Sequence, residues 1–461
     1  MDRRRLQHKI FAVSFLVSQT LITVPAFAAG YQINEISPSL QGDATAGAAA
    51  AENDVSSMFT NPATLSTLIQ NQLYVGGSEI FPHIKMSNAS AIHTVNIPGI
   101  PPSNISAQVA GETSQPSISK SAFVPDGFFG WRLGQRMVAG ISITAPFGLT
   151  TSYDNNSVLR FAADNSSVDA INITPAISYA VNEKFSVGLG MQIQYVSATF
   201  SNFDGPYTGV PAIDSFIASN HATYVNGSSW GFGYTVGGLF KMDEKTRFGL
   251  GFRSRVFEEI SGNGRQFTSP GGVVPAPSQT FLFNAGTKAY AGLVTPGVLT
   301  LSAARDIGDW TVKASAQANL WNCFNQLSIY MPNAFATNST IQTHWKNAWL
   351  GALGAEYRIT EKWAVRSGVA YDQTPTQDGY RDPRIPDSDR VWLTFGGSYH
   401  VNKHVSFDAA YEHIFMKNQT VNVTQATGDS ANSTLPLEVN QVQASYKGSA
   451  DIVGVAARYS F

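Results

Sequence analysis

The 461-residue sequence predicts an all-β fold: a transmembrane, antiparallel, fourteen-stranded outer-membrane β-barrel with an N-terminal, partly helical hatch plugging the lumen. Three observations predict it. Charged residues make up only 13% of the chain, about half the share of an average soluble domain. Mean hydropathy is −0.07, and no run of about 18 apolar residues occurs, which argues against a helical membrane protein. Forty glycines and 22 prolines argue against a helical bundle. Apolarity that alternates along the chain reconciles the three, because a barrel strand turns one face to lipid and the other to the lumen.

The first 28 residues read as a secretory signal peptide. Arg3, Arg4, Arg5 and Lys9 form a basic region, Ile10–Val17 and Leu21–Val24 an apolar one, and Ala26-Phe27-Ala28 a small-residue cleavage site. The mature chain is then expected to begin at Ala29. Removing the peptide takes away four basic residues and one acid, which moves the formal net charge from −2 to −5. A mildly acidic chain has no electrostatic footprint for nucleic acid. Cys323 is the single cysteine, so an intramolecular disulfide is impossible.

The barrel is expected over residues 71–461. Six short polar turns punctuate it: Leu133-Gly134-Gln135, Val181–Lys184, Met242–Lys245, Asp306–Asp309, Thr360-Glu361-Lys362 and Val401–His404. Period-2 segments flank them. Phe185, Val187, Leu189, Met191, Ile193 and Tyr195 oppose Ser186, Gly188, Gly190, Gln192 and Gln194. Longer polar connections are expected near 84–118, 149–167, 201–227, 261–283, 333–342, 373–389 and 417–447. Six short turns and seven long loops join fourteen strands, with both ends in the periplasm and the long loops outside. The C-terminal strand puts Val453, Val455, Ala457, Tyr459 and Phe461 on one face, and its terminal aromatic resembles the recognition signal of outer-membrane barrels.

Opposite the apolar faces fall Arg253, Arg255, Lys313, Lys346, Glu356, Arg366, Asp372, Asp408, Glu412 and Arg458, a lumen carrying both signs. Trp310, Trp345, Trp363, Tyr371, Tyr399 and Tyr411 fall near strand ends, where an aromatic girdle belongs. A soluble β-protein would show polar residues where these aliphatics stand.

Residues 29–70 break the period. Ala44–Ala51 is nearly all small residues, and Asn61-Pro62 reads as a helix start, since Asn caps free amides and Pro suits the first helical position. Fourteen strands enclose more space than side chains alone can fill. A compact segment ahead of them is expected to fill it as a hatch.

These residues carry a family resemblance. Ala29-Gly30-Tyr31-Gln32-Ile33-Asn34-Glu35, the small-residue run and Asn61-Pro62-Ala63 resemble the hatch of the FadL/TodX family of outer-membrane hydrophobic-compound transporters. Ala145-Pro146-Phe147-Gly148-Leu149, Arg160-Phe161, Asn172–Ala176, Tyr371–Pro375 and Pro386-Asp387-Ser388-Asp389-Arg390 are similar to further segments of that family, in the same order along nearly the whole mature chain. The resemblance implies passive, ligand-gated uptake of long-chain fatty acids or similar hydrophobic compounds. Aromatic hydrocarbon transport and a general porin are the alternatives. It implies a ligand that lands in an outer groove, displaces the mature N-terminus and leaves sideways at a kink in the third strand. Tyr31 stands where the family has the displaced aromatic.

The kink is expected at Pro146-Phe147-Gly148, where Pro146 lacks an N–H and Gly148 lets the backbone bend. Apolar residues in the 201–227 loop (Phe203, Tyr207, Val210, Ile213, Phe216, Ile217, Tyr224) and Ile97 and Ile100 are expected to form the outer groove. A carboxylate headgroup would want a cation: Arg160 by motif, with Arg253, Arg255, Lys313 and Arg366 as alternatives. The expected partners are the hydrophobic small molecule and outer-membrane lipid, with the protein a monomer. No cofactor is called for. His400 and His404 lack a third metal ligand beside them, no phosphate-binding glycine loop is present, and no enzyme is expected.

Overall fold

The computed structural model describes residues 30–96, 104–204, 221–268, 287–331, 338–429 and 436–461. The expected signal peptide (residues 1–28), Ala29, Ile97, Ile100, Tyr207, Val210, Ile213, Phe216 and Ile217 lie outside the described residues. The strands are β1 (Gln72–Asn96), β2 (Ala122–Arg132), β3 (Met137–Ser152), β4 (Asn165–Ala180), β5 (Phe185–Asp204) and β6 (His221–Lys241). Next come β7 (Thr246–Arg253 and Val256–Thr268), β8 (Thr287–Thr295 and Gly297–Ile307), β9 (Trp310–Leu320 and Gln326–Tyr330) and β10 (Asn338–Gln342 and Ala348–Arg358). The circuit finishes with β11 (Trp363–Asp372), β12 (Arg390–His400), β13 (Val405–Met416 and Gln419–Asp429) and β14 (Pro436–Ser460). A short arm, Asn104–Gln108, pairs with the far end of β1. Neighbours pair antiparallel, and β1 pairs with both β2 and β14, so the sheet closes into a fourteen-stranded barrel with no free edge.

All six short turns fall where the sequence puts them, between strands at 133–136, 181–184, 242–245, 308–309, 359–362 and 401–404. At the opposite end the strands run further than expected. β1 continues to Asn96 and β14 is 25 residues long, whereas about 10 tilted residues cross the hydrocarbon. Beyond the lipid the outward face of a hairpin meets water while Val442, Ala444 and Tyr446 stay buried inside, so polar residues such as Gln441, Gln443 and Lys447 continue a ladder there while reading as loop.

The outward face carries the apolar residues. In β11, exposure alternates residue by residue, and Val453, Val455, Tyr459 and Phe461 all face out. Trp310, Trp363, Tyr371 and Tyr411 are exposed as a girdle requires, but Trp345 is buried inside. Arg255 and Lys346 are exposed on the outside, not in the lumen. The reason is shared. Arg255 lies in the interruption of β7, where Arg253 and Ser254 both turn inward and shift the parity; Trp345 and Lys346 lie in the interruption of β10.

Residues 30–68 lie inside the barrel, folded as α1 (Pro38–Gln41) and three short 3-10 turns, Ala48–Ala50, Val55–Phe59 and Pro62–Thr67. Side chains from Tyr31 to Leu40 are buried. Among the described residues four ion pairs tie the segment to the wall: Asp43 to Lys313 (2.7 Å), Asp54 to Arg458 (3.0 Å), and Glu52 to both Arg247 (3.1 Å) and Lys241. Inward glycines on three adjacent strands make room for its backbone. A Cβ at Gly249 would overlap the Ala49 carbonyl, one at Gly251 the Thr60 carbonyl, one at Gly237 the Asn61 amide, and one at Gly188 the Pro62–Ala63 peptide. The close approach of the hatch backbone, and at Gly237 of the Asn61 side chain, is what requires glycine there.

Replacing Gly249 with Leu is therefore expected to push the segment off the wall at about 2 kcal/mol or more, and to raise small-solute permeability in liposome swelling. Gly351→Leu, where a Cβ meets nothing within 4 Å, should leave permeability unchanged.

Candidate functional site

The site begins at a break in the wall. Pairing of β2 with β3 stops at Asp126↔Thr144, and the β3–β4 register slips between Thr144 and Phe147. Pro146 sits at the slip, where a residue without an N–H removes one ladder bond. Below the break β3 alternates, with Ile141 and Ile143 facing lipid; from Thr144 to Leu149 every residue is buried, because the strand has turned into the lumen.

The turned strand leaves backbone groups that lipid cannot satisfy, and the N-terminal segment satisfies them. Ile33 N–H donates to the Pro146 carbonyl (2.8 Å), and Gly148 N–H donates to the Tyr31 carbonyl (2.9 Å). Gln32 and Phe147 thereby form an antiparallel bridge.

Tyr31 anchors this short ladder. Its hydroxyl donates to the Val294 carbonyl (2.7 Å). Its ring meets Trp321, Phe324, Phe147 and Trp345 at centroid distances of 4.7–5.9 Å, three of them edge-on, the geometry aromatic pairs prefer. Trp321 and Phe324 come from the interruption of β9 and Trp345 from that of β10. The Thr343 hydroxyl donates to the Phe324 carbonyl (2.7 Å) and joins the two breaks.

One residue earlier, Gly30 N–H donates to the Asp387 carboxylate (3.0 Å). Arg390 approaches Asp372 (3.2 Å) and Asp387 (3.4 Å), and all three side chains are fully buried. Burial pushes the Asp387 carboxyl above the usual carboxylate range, against the pull of Arg390 and the Gly30 N–H. The Pro386–Arg390 motif thus holds the start of the hatch.

A narrow cavity of about 50 Å³ lies beside the ladder, between hatch and wall, and Gln32, Phe59, Pro146, Phe147, Arg253 and Pro296 help to line it. Arg253 donates to Gln192 (2.5 Å) and to the Phe59 carbonyl (3.1 Å), with its guanidinium 3.8 Å over the Phe59 ring.

The structure brings Tyr31 together with Pro146, Phe147 and Gly148, and places the other expected site residues apart from them. Asn61 caps the Pro62–Thr67 turn by accepting from Ala63 N–H (3.0 Å), and donates to the carbonyls of Ala49 (2.7 Å) and Gly238 (3.0 Å). Asn61, Pro62 and Ala63 therefore dock the hatch against β5 to β7. Arg160 donates to the carbonyls of Ala110 and Ser157 (both 2.9 Å) in the outer loops and lies 4.9 Å over Phe161. Lys313 and Arg366 hold hatch and wall charges, Asp43 and Asp408 among them. Of the expected cations, Arg253 lines the cavity. Sequence reasoning missed Trp321, Phe324 and Trp345, whose signal was a Trp inside an Asn-flanked break of an alternating run. Among the described residues no group of three metal-ligating side chains is present.

A family model described as "Outer membrane protein transport protein (OMPP1/FadL/TodX)" matches residues 19–461. The long-chain fatty acid transport protein of Escherichia coli K12 is 28% identical over 448 residues, covering 91% of this chain and 95% of that one. A solved FadL homologue of Pseudomonas aeruginosa superposes with a TM-score of 0.79 at 24% identity, covering 94% of this chain and all of that one. The toluene transporter TbuX of Ralstonia pickettii shares the fold, with a TM-score of 0.65 at 17% identity over 93% of this chain and all of that one.

Tyr31→Ala removes the hydroxyl bond and four ring contacts, a loss of about 3 kcal/mol. Hydrogen exchange at the amides of Ile33 and Gly148 is expected to accelerate on the order of 100-fold, read by mass spectrometry of their peptides, while exchange in β11 stays unchanged.

Proposed function

The chain belongs to the outer membrane protein transport family OMPP1/FadL/TodX, and from that premise we propose that it takes up long-chain fatty acids or similar hydrophobic compounds passively across a bacterial outer membrane, gated by the ligand. The carrying observation is the two-bond ladder between Tyr31–Ile33 and Pro146–Gly148, anchored by Tyr31 in its aromatic surround. A ligand that enters this surround competes with the Tyr31 ring. Displacing Tyr31 releases the ladder and frees the break between β2 and β3, from which the ligand leaves sideways to the lipid beside Ile141 and Ile143.

The energetics favour this route over a water-filled pore. An acyl chain of about sixteen methylenes gains roughly 0.8 kcal/mol for each one buried, about 13 kcal/mol in all. Lateral exit keeps that gain, because the chain passes from protein to lipid without returning to water. A relative is named for long-chain fatty acids, and Arg253 beside the cavity offers a cation for a carboxylate. The rings around Tyr31 support a second reading, an aromatic hydrocarbon, the cargo class for which TbuX is named. The filled interior argues against a general porin. No catalytic step is proposed, and the closed barrel functions as a monomer.

The proposal is tested by uptake of a labelled sixteen-carbon fatty acid into cells. Gly148→Phe is expected to lower uptake at least tenfold with the barrel still assembled; wild-type uptake would remove the lateral gate. Deleting residues 29–70 is expected to give a leaky pore for small sugars, and unchanged permeability would count against the plug.

A further inference from the structure

Three lysines stand together on the outside of the barrel, above the lipid-facing belt. Lys85 of β1 and Lys447 of β14 are direct cross-strand partners. Lys417 lies in the interruption of β13, between Phe415, which pairs with Ser449, and Gln419, which pairs with Tyr446, so it sits beside Lys447. All three are exposed, while Ile84, Met86 and Tyr446 on the opposite face are buried. Below them on the same outward face are Phe81, Tyr411 and Phe415. The short turns mark the far end of the barrel, so the lysines stand where the outer leaflet gives way to its headgroups.

Like charges directly opposite across a ladder destabilise it, and the acids that share a cavity with Lys417 and Lys447, Asp378 and Asp389, form no ion pair with them among the described residues. Among the described residues no acidic side chain lies within ion-pair distance of any of the three. The acids nearby are engaged. Asp451 accepts from Tyr411 and His413 (both 2.7 Å), Asp378 pairs with Arg381 (2.7 Å), and Asp389 accepts from the Thr374 amide (3.1 Å). Three adjacent cations held by neighbouring strands at headgroup level attract an anion from outside.

We propose that Lys85, Lys417 and Lys447 form a binding site for the phosphorylated sugar headgroup of the glycolipid in the outer leaflet. This rests on the outer-membrane location and not on the cargo. The headgroup's phosphates neutralise the lysines, and its acyl chains run down over Phe81 and Phe415.

The test titrates the full chain with bisphosphorylated lipid A, dephosphorylated lipid A and phosphatidylglycerol in nanodiscs, reading bound lipid by native mass spectrometry. Each lysine near an anionic surface contributes roughly a fivefold factor. The triple variant Lys85→Gln, Lys417→Gln, Lys447→Gln is expected to bind bisphosphorylated lipid A on the order of 100-fold more weakly, and the triple Lys→Arg variant to bind as wild type. Equal binding by the triple Gln variant would overturn the proposal. So would equal binding of dephosphorylated lipid A or of phosphatidylglycerol by the wild-type chain. Heat-modifiable migration on gels reports folding; if the triple Gln variant fails it, Lys85→Gln alone should bind about fivefold more weakly, and unchanged binding would overturn the site. Fatty-acid uptake should be the same in every folded variant, which separates this outcome from the transport reading.

Discussion

Hydrocarbon offers no partner to a backbone N–H or carbonyl, so every peptide group of a membrane barrel must find one within the protein. Along the wall, pairing between β2 and β3 stops at Asp126↔Thr144. The freed groups of Pro146 and Gly148 turn inward and are met by Tyr31 and Ile33. A defect in the wall and the position of the N-terminus are therefore one feature. In the proposed route the gate needs no hinge or separate lid, because the segment Tyr31–Ile33 supplies the missing partners and would withdraw them.

The rest of the interior supports that arrangement from two sides. Asp387 and the aromatic residues of the broken strands β9 and β10 hold Gly30 and Tyr31. Further along, Asn61, the glycines of β5 to β7 and the ion pairs of Asp43, Asp54 and Glu52 fix the remainder of the hatch to the wall. The first set lies at the proposed ligand site and the second away from it. Under the proposed mechanism, this division would let a ligand move the first residues without unseating the plug.

The sequence showed the barrel clearly because a two-residue period survives any curvature of the sheet. Turns such as Val181–Lys184 and the alternation around Val453 and Val455 are local signals. The kink at Pro146-Phe147-Gly148 was legible for the same reason, since proline and glycine act on their own backbone. What failed was parity across interruptions. Arg255 and Trp345 each follow a break that adds or removes a residue from the count, and every side chain beyond such a break changes face. Loop limits failed where ladders leave the lipid, since polar residues such as Gln441, Gln443 and Lys447 replace the aliphatics on the outward face of β14 and look like a loop. Arg160 was chosen by motif, and its guanidinium binds loop carbonyls; Arg253 was one of several lumen-facing cations, and only packing in three dimensions placed it at the cavity.

The most direct test locks the ladder. Gln32 and Phe147 form a bridge whose flanking bonds run from Ile33 and Gly148, a pairing without direct bonds between the two residues, in which Cα atoms approach to about 4.5 Å. That separation suits a disulfide. In a Cys323→Ser background, Gln32→Cys with Phe147→Cys should cross-link on oxidation. The account predicts that oxidised cells take up labelled fatty acid at least tenfold more slowly than the same cells after reduction. Undiminished uptake through a fully cross-linked protein would contradict it.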